Sequence, residues 1–231
     1  MKVAIYTLGC KVNLYESEVI MNSFKKSGYE IVDFEDNADI VIINTCTVTN
    51  TSDKKSRNII RQAVKKHENA VIVVMGCYSQ VRSADIKEID GVDIIIGNTK
   101  KSKVVSLVEE YLKNKKSITE IDDIMHTDFE PMELDKFETR TRGFVNYSDR
   151  TRAFVKIQDG CNNFCSYCII PYSRGNIRSK EKDDVVSEIK CLVKNGYKEV
   201  VLTGIHTGHY GKDKYDYDFS DLLSGLCKID N

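Results

Sequence analysis

The sequence predicts an α/β protein, with a parallel-sheet domain of flavodoxin-like or Rossmann-like type followed by a second, shorter β/α pattern. Three observations predict it. Short apolar runs alternate with longer amphipathic ones through the first 112 residues. Those runs are continuous in Val and Ile rather than alternating with polar residues, as strands covered on both faces are. The same alternation restarts at Arg152, after a stretch rich in charge.

The elements follow in order. Residues 3–8 read as a strand, and residues 14–27 as a helix carrying Val19, Ile20 and Phe24 at helical spacing. Gly28 stops that helix. Strands are expected at 30–34, 39–43, 70–75 and 93–96, and helices at 51–67, 79–89 (broken) and 100–112. Strands alternating with helices in this way give a parallel sheet with helices on both faces. Residues 113–145 hold the run Lys113-Asn114-Lys115-Lys116, acidic residues from Asp122 to Glu138, and Pro131. They read as a partly ordered linker with a short strand within 118–124. Beyond it, 153–157 and 199–202 read as strands, and 182–195 and 219–229 as helices. The expected division is thus 1–112, a linker at 113–145, and a second domain at 146–231. Two β/α units leave sheet edges uncovered, so the second domain is expected to be incomplete.

Composition bounds the function. A net charge of −1 argues neither for nor against a nucleic-acid partner. No apolar run is long enough to span a bilayer, and MKVAIYTLGC lacks the pattern of a secretory leader, so a cytoplasmic location is expected. In that reducing compartment the eight cysteines are better read as ligands, reactive groups or buried apolar residues than as disulfides. Cys191 and Cys227 fall in helical stretches and read as small buried hydrophobes.

The other six cysteines carry the chemistry. In Cys161-Asn162-Asn163-Phe164-Cys165-Ser166-Tyr167-Cys168, three thiols lie close enough to wrap one iron–sulfur cluster. Such clusters normally take four thiolates, so three leave an iron open to a substrate or cofactor. The competing reading is zinc or a disulfide. Structural zinc, however, is nearly always four-coordinate, and His206 and His209 lie far downstream of the run. Cys10, Cys46 and Cys77 each follow an expected strand. The carboxyl ends of parallel strands share one edge, where ligands bind, so these three are expected to meet there. Gly9 and Gly76 just before two of them are expected to let backbone approach a bulky ligand. The alternative is three separate buried cysteines.

The segments TLGCKVNLYESE (residues 7–18), NTCTVT (44–49), GCNNFCSYCIIPYSRG (160–175) and VLTGIHTGHYG (201–211) resemble the methylthiotransferase family of radical S-adenosylmethionine enzymes. Within it they look most like the branch acting on threonylcarbamoyladenosine in tRNA. The isopentenyladenosine branch tends to have Gln-Met where this chain has Lys11-Val12, and a third branch modifies a ribosomal protein aspartate. The resemblance implies a fold in which the second domain is the first part of a radical S-adenosylmethionine, partial TIM-type barrel. It implies two 4Fe–4S clusters, on Cys161, Cys165 and Cys168 and on Cys10, Cys46 and Cys77. It further implies S-adenosylmethionine as cofactor, a tRNA substrate, and an electron donor such as flavodoxin or ferredoxin. The implied reaction installs a methylthio group at carbon 2 of the adenine of N6-threonylcarbamoyladenosine, beside the anticodon. One S-adenosylmethionine methylates sulfur at the first-domain cluster, and a second is cleaved to a radical at the other. An aromatic C–H bond offers no acidic proton and no leaving group, which is why a cofactor-borne radical is needed. The family has further barrel units and a small RNA-binding β domain, so a chain of this length is expected not to turn over alone. A non-catalytic iron–sulfur module is the reading from another class.

Further residues follow from the resemblance. Thr203 and Gly204 are expected to contact the amino group of S-adenosylmethionine, and Tyr167 to lie near its adenine. Packing or an ordinary turn is the alternative for each. His206 and His209 read as surface or packing residues rather than acid–base groups. Arg140, Arg142, Arg150, Arg152, Arg174 and Arg178 concentrate positive charge suited to phosphate, diluted by Asp149, Glu181 and Asp183.

Overall fold

A computed structural model describes residues 1–130, 132 and 152–229. The first unit is one parallel sheet of β1 (Lys2–Thr7), β2 (Glu30–Val32), β3 (Ile40–Thr45), β4 (Val71–Gly76), β5 (Ile94–Ile96) and β6 (Ile118–Glu120). The strand order is β2-β1-β3-β4-β5-β6. Every pairing is parallel, with Val3 opposite Ile40 and Ile40 opposite Val71. Chain order reverses between β1 and β3, which makes the ends of those strands the crevice where such sheets take ligands.

Helices cover both faces: α1 (Lys11–Lys26), α2 (Asn50–Lys66), α3 (Cys77–Lys87) and α4 (Val104–Asn114). Tyr15, Ile20 and Phe24 of α1 join Val104 and Val108 of α4 over Ile42 and Val73. On the other face Ile60 and Ala63 of α2 and Ile86 of α3 pack on Ile43 and Val74. All six positions of β3 and of β4 are buried, which explains why these strands are apolar throughout instead of alternating. The expected break in the third helix is present, at the non-helical backbone of Arg82.

The sheet does not end where the sequence put the domain boundary. β6 lies inside the expected linker, yet it pairs with β5 from Ile94–Ile118 to Ile96–Glu120. Three strand residues are too few to carry a period of their own, and β5 supplies the ladder that orders them. Pro131 and the rest of the expected linker from residue 133 lie outside the described residues.

In the second unit β7 (Arg152–Lys156) and β10 (Glu199–Thr203) pair in parallel, with α6 (Lys182–Lys194) crossing between them and α7 (Phe219–Leu226) beyond. Val155, Ile157, Val185, Ile189 and Leu222 form its core. Two pieces have no counterpart in the sequence reading. A two-residue ladder of β8 (Gln158–Asp159) with β9 (Arg178–Ser179) closes the base of the cysteine loop, and α5 (Ile170–Arg174) follows that loop. Helix α1 is shared between the units: Phe154 of β7 packs in its cluster, and the Tyr15 hydroxyl lies within hydrogen-bond distance of both Met132 O (2.5 Å) and Glu188 Oε1 (3.0 Å).

Candidate metal centre and cofactor site

The carboxyl ends of β1, β3 and β4 deliver Cys10, Cys46 and Cys77 to one cavity of about 560 Å³. Cys10 is the N-cap residue of α1, Cys77 opens α3, and Cys46 follows β3 directly. Two helix N-termini thus turn their positive ends toward the cavity, a polarity that suits an anionic occupant. Thr203, Gly204, Ile170 and Arg174 of the second unit line the same space. The expected first-domain cysteines and two expected cofactor residues therefore face one cavity.

Gly76 acts differently from the expectation. Gly9 and Gly76 have φ of +111° and +105°, a region open to few residues with a Cβ. A Cβ on Gly76 would come within 2.6 Å of Asn44 Oδ1 and 2.7 Å of Thr45 O, and one on Gly9 within 3.2 Å of the Cys46 Cβ. Gly76 thus lets neighbouring strand ends approach each other, which gathers the cysteines, while Gly9 also lines the cavity itself.

The second cysteine run is open to solvent. Cys161 and Cys168 are half-buried and Cys165 is exposed. The loop is pinned by Cys161 N–H donating to Gly175 O (3.0 Å) and turned by Phe164, whose φ is +45°. Tyr167 is 89% exposed, so it is not a core residue. The rings of His206 and His209 meet at a tilt of 35° with centroids 3.7 Å apart. Burial, with the nearby charge of His206 and Lys212, pushes His209 down. Cys227 is exposed and Cys191 only half-buried, contrary to the expectation that both are buried hydrophobes. The helical pattern gives a cysteine's position on a helix but not what covers that face.

Behind the cavity lies a polar network that the sequence reading missed. Arg174 is fully buried, and its Nη1 donates to Glu16 Oε1 (3.0 Å) and to Asp159 Oδ1 (3.0 Å) and Oδ2 (3.1 Å). Its Nη2 donates to Asn13 Oδ1 (2.7 Å). Lys101 and Lys156 also pair with Glu16, and Arg178 approaches Asp159 at 3.8 Å. Arg174 and Arg178 are therefore not phosphate-binding surface groups, because buried carboxylates claim them. Arg152 is exposed and pairs with Glu199, while Arg140, Arg142, Arg150 and Asp149 lie outside the described residues. Signals for the network were present: Asn13 and Glu16 sit in the motif around Cys10, and Arg174 sits in the motif after Cys168.

Among the described residues no three His, Cys, Asp or Glu side chains converge as a single metal ion would require. A cubane makes a different demand, since each thiolate binds its own iron and the sulfurs stand apart around it. The donor chemistry fits such a group at the first cavity. Burial pushes the Cys46 thiol up, and Cys77 and Cys10 add to that, so thiolates gathered here need a cation among them. The network behind sets four cations, Lys101, Lys156, Arg174 and Arg178, against the carboxylates of Glu16 and Asp159. That excess of positive charge matches an anionic thiolate cluster in front. Arg174 Nε is moreover a buried donor with no partner among the described residues.

Comparison with known proteins completes the description. Residues 2–97 match the family described as uncharacterized protein family UPF0004, and residues 155–230 match the radical SAM superfamily. The chain is 48% identical over 225 residues to the threonylcarbamoyladenosine tRNA methylthiotransferase MtaB of Bacillus subtilis (strain 168), covering 97% of this chain and 48% of that protein. It is 42% identical over 230 residues to the protein of the same name from Aquifex aeolicus (strain VF5), covering 100% and 54%. The chain thus spans about half the length of the curated relatives it matches. Its fold resembles that of the radical S-adenosylmethionine methyltransferase TsrM from Kitasatospora setae, with a TM-score of 0.58 at 15% identity over 97% of this chain and 50% of that one.

Proposed function

We propose that this chain, which belongs to the methylthiotransferase family of radical S-adenosylmethionine proteins, serves in an enzyme that adds a methylthio group to carbon 2 of N6-threonylcarbamoyladenosine in tRNA. The observation that carries the reading is the single cavity onto which Cys10, Cys46 and Cys77 open from one side and Thr203 and Gly204 from the other. A sulfur source and a radical source must act on the same ring carbon, and a shared cavity lets them do so. The names of the relatives from Bacillus subtilis and Aquifex aeolicus support the choice of nucleoside.

In this reading Cys161, Cys165 and Cys168 hold one 4Fe–4S cluster, and Cys10, Cys46 and Cys77 hold a second. When bound, the first supplies an electron and an open iron to S-adenosylmethionine, and the second supplies a site for exchangeable sulfur. The chain's own residues do the placing. Thr203 and Gly204 end β10 at the cavity and receive the amino acid end of the cofactor. The exposed ring of Tyr167 is free to cover its adenine. Lys11 and Lys55 stand exposed at the same cavity and suit the phosphates of an incoming tRNA. A one-electron donor such as flavodoxin or ferredoxin reaches the open cysteine loop. The enzyme works in the cytoplasm, a setting compatible with the absence, among the described residues, of any helix long and apolar enough to cross a membrane.

The test is mass spectrometry of digested tRNA from cells that lack the modification and are supplied with the intact gene. The 2-methylthio derivative of threonylcarbamoyladenosine is the expected product. A methylthio group on isopentenyladenosine in that digest, or on a ribosomal protein aspartate in a parallel protein digest, would overturn the substrate assignment. Replacing Cys10, Cys46 or Cys77 is expected to stop sulfur insertion while leaving S-adenosylmethionine cleavage in place. Loss of both activities with the Cys161 cluster still loaded contradicts that division of labour.

A further inference from the structure

The segment that follows the cysteine loop is tied to residues that line the first-domain cavity. Asn98, after β5, is 4% exposed. Its Nδ2 stands 3.6 Å from Cys77 Sγ and donates to Ser173 O of α5 at 2.6 Å. That short bond to a carbonyl fixes the orientation of the amide, because the reversed one would set two acceptors together. An N–H is therefore presented to the Cys77 sulfur.

The next residue along, Arg174, faces the cavity from behind Asn13. Its Nη2 donates to Asn13 Oδ1, which also accepts from Cys10 Sγ at 3.5 Å. Asn13 is itself held by Leu8 O (2.9 Å) and Thr45 O (3.0 Å), so it has one place to be. Arg174 thus puts a buried full charge on the cavity lining, beside Cys77 and Cys10. Hydrogen bonds to ligating sulfurs and nearby positive charge both favour the reduced, more negative state of an iron–sulfur cluster.

We propose that Asn98 and Arg174 are positioning residues of the first-domain site, Asn98 through its N–H to the Cys77 sulfur and Arg174 through its buried charge, and that both raise the electron affinity of the cluster these cysteines hold. This rests on the reading that Cys10, Cys46 and Cys77 hold a cluster. It also makes α5 a direct link between the two cysteine sites, since Ser173 and Arg174 follow Cys168 by only a few residues.

The experiment is an anaerobic redox titration followed by electron paramagnetic resonance, with iron counted on every sample. It uses the full chain carrying Cys161→Ala, Cys165→Ala and Cys168→Ala, so that one cluster remains. Asn98→Ala and Arg174→Gln are each expected to shift the midpoint to lower potential. For Arg174→Gln the shift is about tenfold in the oxidised-to-reduced ratio at fixed potential, or about 59 mV for a one-electron couple. Arg174→Lys keeps the charge and is expected to restore most of the midpoint. Should Arg174→Gln fail to fold, Asn98→Ala carries the test, since it strips no buried carboxylate of a cation. Unchanged midpoints in loaded Asn98→Ala and Arg174→Gln overturn the proposal and leave the cluster reading standing. Absence of iron from the parent overturns both.

Discussion

Replacing Glu16 by Gln probes the joint between the two units most sharply. The Glu16 side chain is 1% exposed and pairs with Lys101, Lys156 and Arg174, whose side chains are 0%, 3% and 0% exposed. Without its charge, Asp159 is left to compensate Lys156, Arg174 and Arg178. Among the described residues Lys101 has no other carboxylate within ion-pair reach. Removing one partner of a buried ion pair costs about 3–5 kcal/mol, because the remaining charge stays desolvated. At about 2–4 °C per kcal/mol for a chain of this size, the midpoint of thermal unfolding should fall by about 6–20 °C. Scanning calorimetry of the two proteins measures it, and a loss below about 1 kcal/mol would refute the claim that the network is a buried, mutually dependent unit. The pH dependence gives a second reading of the same group. Burial alone would raise the Glu16 carboxyl, but Arg174, Lys101 and Lys156 outweigh it and hold the group well below its ordinary 4.5. A carboxyl depressed by folding contributes stability that is fully present above its unfolded value and is lost as pH falls toward its folded one. The wild type should therefore lose stability below about pH 4.5 more steeply than Glu16→Gln, which keeps only the share due to Asp159.

Two further outcomes follow from the geometry. Gly76→Ala sets a Cβ against Asn44 Oδ1 and Thr45 O at a φ of +105°, so denaturant unfolding should show a loss above about 1 kcal/mol; a neutral substitution contradicts the reading of this glycine. Tyr111, pushed up to about 12 by burial and by its hydrogen bond to Asp93, should add stability that is present below about pH 10 and lost as pH rises toward its folded value. Tyrosinate absorbance titration of Tyr111→Phe should lack that late step, and an unchanged profile would show that Tyr111 does not produce it.

Much of this site was legible in the sequence, and particular residues show why. Strands β3 and β4 are buried at every position, so their apolar runs could be read without ambiguity, and a parallel sheet then forces Cys46 and Cys77 to one edge. Cys10 followed by the same logic. Arg174 and Arg178 were misread because an arginine in a sequence carries no sign of its surroundings. Glu16, the carboxylate that buries Arg174, lies 158 residues away along the chain. Lys101 carries no motif at all, and its burial follows only from the packing of α1 against α4. β6 falls within the short strand expected at 118–124, whereas β8 and β9 are two residues long and depend on each other for their order. No periodicity exists at that length. Asn98 follows β5 without any flanking signal, and only the fold sets it against Cys77.

Iron with acid-labile sulfide per chain after anaerobic reconstitution tests most directly whether the protein carries two separate tri-cysteine cluster sites. The comparison is the wild type against a variant with Cys10, Cys46 and Cys77 all replaced by Ala. Two 4Fe–4S clusters give about eight irons per chain, falling to about four in the variant. About four irons in both proteins would contradict the account, leaving Cys10, Cys46 and Cys77 as structural residues around an empty cavity.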